Sequence, residues 1–291
     1  MYHGTTYTPP VETDTMLLQV TVGCKHNKCS YCNMYKELPY CAVEMERIAQ
    51  ELQYSRSMYS KAERIFLVDG DPLSLPTDRL LEIWALTHHY FPECKTLSTY
   101  GSVRSLAEKS DEDLSLLEAA GFNDFYIGIE SGSEDIIKNV NKGITVIQAR
   151  EQLNRLNSAG IDHISLIMLG IGGKDKGVNN ARMTAELINS TSPKMIWAST
   201  LGVFEGTQLH DDVEKGLFNQ ASELEVLEEE KELIRNINLQ NVPFYGTHIT
   251  NTIPVSGLVT RDSNRMLETI DMGIDYLGEK SLQRTFDRAS L

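Results

Sequence analysis

Several things are scarce in this sequence, and each scarcity narrows the reading. No run approaches the roughly 18 consecutive apolar residues of a membrane-spanning helix, so no helical membrane span is expected. The 291 residues hold five cysteines, three of them clustered and two isolated (Cys41, Cys94), which is not the pattern of a disulfide framework. The opening stretch, MYHGTTYTPPVET, lacks the basic and apolar regions of a secretory signal, and the chain reads as cytoplasmic and reduced. No Lys/Arg-rich block is present: 27 basic residues stand against 41 acidic ones, for a net charge of −14. Affinity for RNA or DNA comes largely from basic side chains on phosphates, so a nucleic-acid partner is disfavoured. No internal repeat or low-complexity linker marks a second domain. With 41% hydrophobic residues the chain can bury a full core.

What is present centres on residues 23–36, GCKHNKCSYCNMYK. Cys24, Cys29 and Cys32 are spaced C-x4-C-x2-C, directly after an apolar strand-like run at 17–22. Three thiolates on one loop suit three irons of a [4Fe–4S] cube and leave the fourth iron open to a ligand such as the amino and carboxylate groups of methionine. Tyr31 is an aromatic placed to cover one face of such a cluster. The other reading is a zinc site or a redox dithiol with a spare cysteine. Zinc wants a fourth ligand with its own short spacing, and the nearby option is His26 within the same loop.

Beyond the loop, strand-like and helix-like segments alternate. Strands are expected at 64–68, 95–99, 125–129, 164–169 and 195–199, with the helices between them opened by capping signals such as Ser110 to Asp113 and Thr145 to Gln148. This βα rhythm implies parallel strands with right-handed crossovers. Six units in fewer residues than the ~250 of a closed eight-stranded barrel predict an α/β fold, a partial (β/α)6 TIM barrel. Residues 1–201 form that core. Residues 202–291, with a charged helix at 222–238 and a last helix at about 261–272, form a C-terminal extension that caps the barrel within the same structural domain.

In such architectures ligands sit at the carboxyl ends of the strands. Asp69-Gly70-Asp71 follows the second strand, Glu130-Ser131-Gly132 the fourth and Gly170-Ile171-Gly172-Gly173 the fifth, while Glu205-Gly206-Thr207 lies just beyond the sixth. Each alone is a common turn. Together, after a three-cysteine loop, they point to a nucleotide-sized site.

The cysteine loop, with QVTVGCKHNKCSYCNMYK, IFLVDGD, YIGIESG, INS-to-SPK and FYGTHITN, resembles the radical S-adenosylmethionine (SAM) superfamily over nearly the whole chain. It looks like a stand-alone branch related to the methylthiotransferase and coproporphyrinogen-oxidase-like groups. Two departures are visible. Most members have three residues between the first two cysteines where this chain has four, and Asn179 stands where many relatives have histidine. The resemblance implies a [4Fe–4S] cluster on Cys24, Cys29 and Cys32, with SAM bound at its open iron. It places the SAM amino group at Asp69, Gly70 and Asp71, the ribose at Glu130, the adenine at Gly170, Gly172 and Leu201, and the carboxylate at Arg150. It implies reductive SAM cleavage, hydrogen abstraction from a substrate, and an external one-electron donor such as flavodoxin or ferredoxin. With Cys41 and Cys94 the remaining cysteines, and no cobalamin-sized domain ahead of the barrel, an auxiliary cysteine-ligated cluster and cobalamin chemistry are not expected.

For the substrate, the chain resembles in size and architecture the queuine-salvage lyases, a class that cleaves the C–N bond of queuine to release 7-aminomethyl-7-deazaguanine. A free base in a closed pocket suits an acidic protein. Tyr100, in a variable substrate-facing position, and Phe244, Tyr245, His248 and Asn251 in the tail are the substrate-binding candidates, and Tyr245 and His248 are also the catalytic candidates. The alternatives are a radical SAM oxidoreductase or a peptide- or tRNA-modifying enzyme on the same barrel. From another class, the alternative is a non-catalytic iron–sulfur electron carrier.

Overall fold

The computed structural model describes residues 6–288. Of the N-terminal stretch read for a secretory signal, Met1–Thr5 lie outside the described residues. In chain order the elements begin with β1 (Met16–Gln19), β2 (Thr21–Val22), β3 (Cys41–Ala42), α1 (Met45–Met58), β4 (Arg64–Val68), α2 (Thr77–Tyr90) and β5 (Thr96–Gly101). There follow α3 (Val103–Ala107), α4 (Asp111–Ala119), β6 (Phe122–Glu130), α5 (Glu134–Asn139), α6 (Val146–Ser158), β7 (His163–Leu169), α7 (Gly177–Asn189) and β8 (Met195–Thr200). The chain continues through α8 (Gln208–Glu214), α9 (Glu223–Asn236), β9 (Pro243–Gly246), β10 (Val255–Leu258), α10 (Ser263–Leu277) and α11 (Glu279–Leu282).

Eight strands form one sheet in the order β1-β4-β5-β6-β7-β8-β9-β10, and β2 pairs with β3 separately. Neighbours β1–β4, β4–β5, β5–β6, β7–β8 and β8–β9 are parallel, while β9–β10 is antiparallel. This is an α/β fold with a mostly parallel sheet, and its first six strands are the six expected from the sequence. The tail differs from expectation. It adds β9 beside β8 and β10 beside β9, so 243–246 continues the sheet rather than only covering it. The 17–22 run also divides, because pairing with β4 ends at Gln19 and pairing with β3 begins at Thr21.

The chain divides into two compact units. The first holds the residues up to Asn27, Met34–Ile127 and Gln152–His163; the second holds Lys28–Asn33, Gly128–Glu151 and Ile164 onward. In the first, Leu18, Ile65, Phe66, Leu67, Leu80, Leu97 and Phe125 have no more than trace exposure. Glu12 of the N-terminal segment accepts hydrogen bonds from Arg64 and from the Tyr126 hydroxyl, tying that segment to β4 and β6. Ser110 and Asp113 make the expected capping box at α4.

In the second unit the two faces of β7, β8 and β9 differ. Ser165, Ile167 and Leu169, Ile196, Ala198 and Thr200, and Phe244 and Gly246 are buried. The alternate residues Leu166, Met168, Trp197, Ser199 and Tyr245 are half-buried. The register sets Leu166 beside Trp197, Met168 beside Ser199, and Trp197 beside Tyr245. Because strand side chains alternate with period two, these five share one face. No helix among the described residues is long and apolar enough to cross a membrane.

Candidate functional site

In the first unit, β4 ends in the Asp69-Gly70-Asp71 turn against the start of the cysteine loop. A Cβ on Gly70 would sit 2.7 Å from the Cys24 Cβ and 2.8 Å from the Gly23 carbonyl oxygen, so glycine is what lets the turn meet the cysteine. Asp69 lies in the left-handed region at φ 87°, a costly conformation for a non-glycine residue and one that gathers at functional sites. Its Oδ2 accepts a 2.7 Å hydrogen bond from Gln19 Nε2. Its buried Oδ1 has no partner among the described residues, and burial pushes the carboxyl up to about 6. Asp71 is occupied differently. Ser102 and Ser105 hydroxyls donate to its carboxylate at 2.8 and 2.9 Å, and the Ser74 hydroxyl donates to its carbonyl. Asp71 therefore ties the turn to the start of α3. Burial raises its carboxyl to about 6 against those hydrogen bonds.

In the second unit, the segment with Cys29, Tyr31 and Cys32 is pinned by backbone contacts. Ser30 N–H donates to the Val140 carbonyl at 2.9 Å, and Leu209 N–H donates to the Ser30 carbonyl at 2.9 Å. The Tyr31 ring packs on Ile136, Val140 and Ile171. Glu130, at the end of β6, also takes a positive φ, 61°. Its Oε1 is 2.6 Å from Lys142 Nζ, and Lys142 Nζ is 3.5 Å from the Tyr31 hydroxyl. Gly128 makes space for this pair, since a Cβ there would lie 2.5 Å from Glu130 Oε1. Burial, then the charges of Glu130, Cys29 and Cys32, hold the Tyr31 phenol well above its ordinary pKa, so it stays protonated. Lys142 escaped the sequence reading; a basic residue twelve positions after Glu130 carries no motif.

The turn after β7 is held from the tail. Glu229 of α9 is buried; its Oε2 accepts the Gly170 N–H at 2.8 Å and its Oε1 accepts Asn180 Nδ2 at 2.7 Å. Burial outweighs these donors and raises the Glu229 carboxyl to about 7. The tail thus buttresses a turn that the sequence assigned to ligand alone. Gly172 is glycine for packing, because a Cβ there would lie 2.9 Å from Ile136 Cδ1. Leu201 is buried next to Gly170, its N–H on the Leu169 carbonyl at 2.9 Å. Ser131 and Gly132 bind α7 through Asn180 and Thr184.

Other expected residues are placed away from a ligand role. Arg150 is exposed and faces Glu186 at 3.4 Å, an outer helix-to-helix contact rather than a carboxylate clamp. Phe244 is fully buried core on the covered face of β9, so it offers no stacking surface. Asn251 spends its amide on structure, donating to the Ala198 and Gly246 carbonyls at 3.0 and 2.9 Å and accepting from the Thr200 hydroxyl at 2.9 Å. Tyr100 sits edge-on to Phe66 and Tyr126, with ring centroids at 5.1 and 6.0 Å, so it serves an aromatic cluster. Tyr245 and His248 do come together, around a residue not singled out from the sequence. The Trp197 ring is 6.1 Å from Tyr245 and 5.7 Å from His248.

The donor set fits an iron–sulfur cluster and SAM. Cys24, Cys29 and Cys32 form no disulfide and are half-buried, whereas Cys94 is buried. Asp69, with its unpartnered oxygen, follows β4, and Glu130 ends β6; both take positive φ. Among the described residues no three His, Cys, Asp or Glu side chains form a set for a single metal ion. A cube that takes each thiolate on a different iron does not ask for one.

The family model of the Radical SAM superfamily matches residues 18–182, more than half of the chain, and the chain belongs to that superfamily. A [4Fe–4S] cluster and SAM are its cofactors. No curated protein sequence matches significantly. Among solved structures, methylornithine synthase (PylB) superposes with a TM-score of 0.57 at 16% identity, over 77% of this chain and 61% of that one. The radical SAM methyltransferase TsrM from Kitasatospora setae, solved with cobalamin and a [4Fe–4S] cluster bound, gives 0.57 at 17% identity, over 69% of this chain and 39% of that one. Coproporphyrinogen III oxidase (HemN) from Escherichia coli gives 0.56 at 14% identity, over 76% and 51%. At these identities the likeness is one of fold, and the chain spans under two thirds of each neighbour's length.

Proposed function

We propose that this chain is a radical SAM enzyme whose substrate is a small planar heterocyclic base, and that its reaction is cleavage of the C–N bond of queuine to release 7-aminomethyl-7-deazaguanine. The observation that carries the substrate class is the half-buried face of β7, β8 and β9, where Trp197 and Tyr245 stand together beside His248. Aromatic walls with one polar group at the edge suit a flat, polar-rimmed ring. The net charge of −14 argues for a free base over a polynucleotide.

When bound, the cluster and SAM supply a reductively generated 5′-deoxyadenosyl group that takes a hydrogen atom from substrate. The chain's own residues hold and shield. Cys24, Cys29 and Cys32 would hold the cluster, with Tyr31 covering it from its place on Ile136, Val140 and Ile171. Asp69 and the Gly70 backbone would bind the SAM amino group, and the free Asp69 oxygen supports that role. Glu130, held by Lys142, would accept the ribose hydroxyls, while Gly170 and Leu201 would bound the adenine. The electron comes from an external donor such as flavodoxin or ferredoxin.

The test is anaerobic turnover of reconstituted protein with SAM and reductant, with and without queuine. The proposal expects queuine to stimulate 5′-deoxyadenosine formation and to be converted to 7-aminomethyl-7-deazaguanine, because substrate closes the site against water. Stimulation by a peptide or by tRNA, with none from queuine or related bases, would move the assignment to the peptide- or tRNA-modifying reading.

A further inference from the structure

Within the second unit, His248 is held in one tautomer. Its Nδ1 faces two groups of Thr250: the backbone N–H, which donates to it at 3.3 Å, and the hydroxyl at 2.7 Å. The backbone N–H can only donate. With Nδ1 thereby an acceptor, the Thr250 hydroxyl, whose oxygen accepts the Thr200 N–H at 3.0 Å, turns its own hydrogen to the ring. Nδ1 must therefore carry the lone pair and Nε2 the proton. Among the described residues Nε2 has no hydrogen-bond partner, and it is not sealed away from solvent. Burial also holds the imidazole below its ordinary pKa, which keeps it neutral.

The loop that carries this ring is braced from both sides. Arg288 Nε donates to the Thr250 carbonyl at 2.7 Å, and its two terminal nitrogens fork onto Glu223 at 3.0 and 2.8 Å. Glu223 is fully buried and also accepts from the Thr252 hydroxyl. Asn251 stitches the same loop to β8 and β9 through Ala198 and Gly246. A donor fixed this firmly costs little further ordering when it binds.

We infer that His248 is a substrate-contacting residue that offers a neutral Nε2–H to an acceptor atom, a ring nitrogen or a carbonyl oxygen, on the edge of a base lying against Trp197 and Tyr245, and that Thr250 is the positioning residue that sets this polarity. The inference rests on the heterocyclic-base reading above. It adds a rule that reading does not contain: the site selects bases with an acceptor at that edge and rejects those presenting a donor there, since two donors would face each other.

The experiment uses reconstituted holoenzyme with SAM and queuine as the probe. Nitrogen NMR of histidine-labelled protein should show the His248 Nε2 protonated and Nδ1 bare, with Nε2 moving when queuine is added. Thr250→Val should mix the tautomers and raise the KM for queuine about 3- to 10-fold, the worth of one neutral hydrogen bond. Thr250→Ser should restore both. His248→Ala should weaken queuine binding by a similar factor with SAM affinity unchanged, and His248→Gln should recover part of it through its amide donor. A protonated Nδ1, or queuine binding indifferent to His248→Ala, would overturn the inference while leaving the base reading in place. Failure of the unaltered enzyme to respond to queuine overturns the base reading, and this inference with it.

Discussion

The Glu130 carboxylate and the Lys142 ammonium meet at 2.6 Å, with both side chains largely removed from solvent. Such a pair is worth more when broken than when made, because removing one partner strands the other's charge. It also holds the carboxylate in a set direction.

From this follows the first prediction. Glu130→Ala should weaken SAM binding about tenfold or more, the roughly 1.5–3 kcal/mol of a hydrogen bond to a charged group, with iron content unchanged. Lys142→Met should lower stability more than the Glu130→Gln, Lys142→Met double variant does. Calorimetric titration with SAM and denaturant melts measure the two parts. Full SAM affinity in Glu130→Ala would show that the ribose lies elsewhere.

Gly70 gives the second. A methyl group there would fall 2.7 Å from the Cys24 Cβ and 3.0 Å from its Cα, with backbone on the opposing side that cannot swing away. Gly70→Ala should displace Cys24 and reduce reconstituted iron well below wild type, while the far-ultraviolet spectrum stays native. A full iron complement in that variant would separate the turn from the cluster loop.

The cysteines divide cleanly in the third. Reconstituted protein should hold about four irons and four sulfides. The triple substitution of Cys24, Cys29 and Cys32 by alanine should abolish the cluster, whereas Cys41→Ala and Cys94→Ala should keep it. Iron analysis decides it.

Glu230 carries the fourth. It is buried on α9 with Oε1 unpartnered, and burial, aided by the neighbouring Glu229 charge, lifts its carboxyl to about 8. A folded-state pKa above the unfolded one means the folded chain binds the extra proton. Stability from this group is therefore fully present below the unfolded carboxylate range and is lost as pH rises toward 8. Glu230→Gln should flatten that fall and melt higher than wild type at pH 8.5, with a smaller gap at pH 5. Parallel melts that keep the same gap at both pH values would contradict it.

The parts of this molecule that were readable in the chain are those set by local pattern. The three-cysteine spacing, the six strands through Thr200 and the Ser110 and Thr145 caps each depend on residues close in sequence, and the strands and caps stand where expected. The placements that escaped depend on distant pieces meeting. Lys142 reaches Glu130 through a turn, Glu229 reaches Gly170 across 59 positions, and Trp197 gains meaning only once β9 lies alongside β8. Asn251 and Phe244 looked like pocket material because polar and aromatic side chains in a tail are equally suited to bracing and to core. Which use applies is decided by the face of β9 and the carbonyls within reach, and neither is written locally.

The most direct test of the central claim is the anaerobic quantification of 5′-deoxyadenosine from reconstituted protein, SAM and a one-electron reductant. The account predicts that 5′-deoxyadenosine and methionine form together in the wild type and vanish in the triple variant lacking Cys24, Cys29 and Cys32. A protein that holds a full, reducible four-iron cluster yet forms no 5′-deoxyadenosine, with or without queuine, would contradict it and leave an electron carrier.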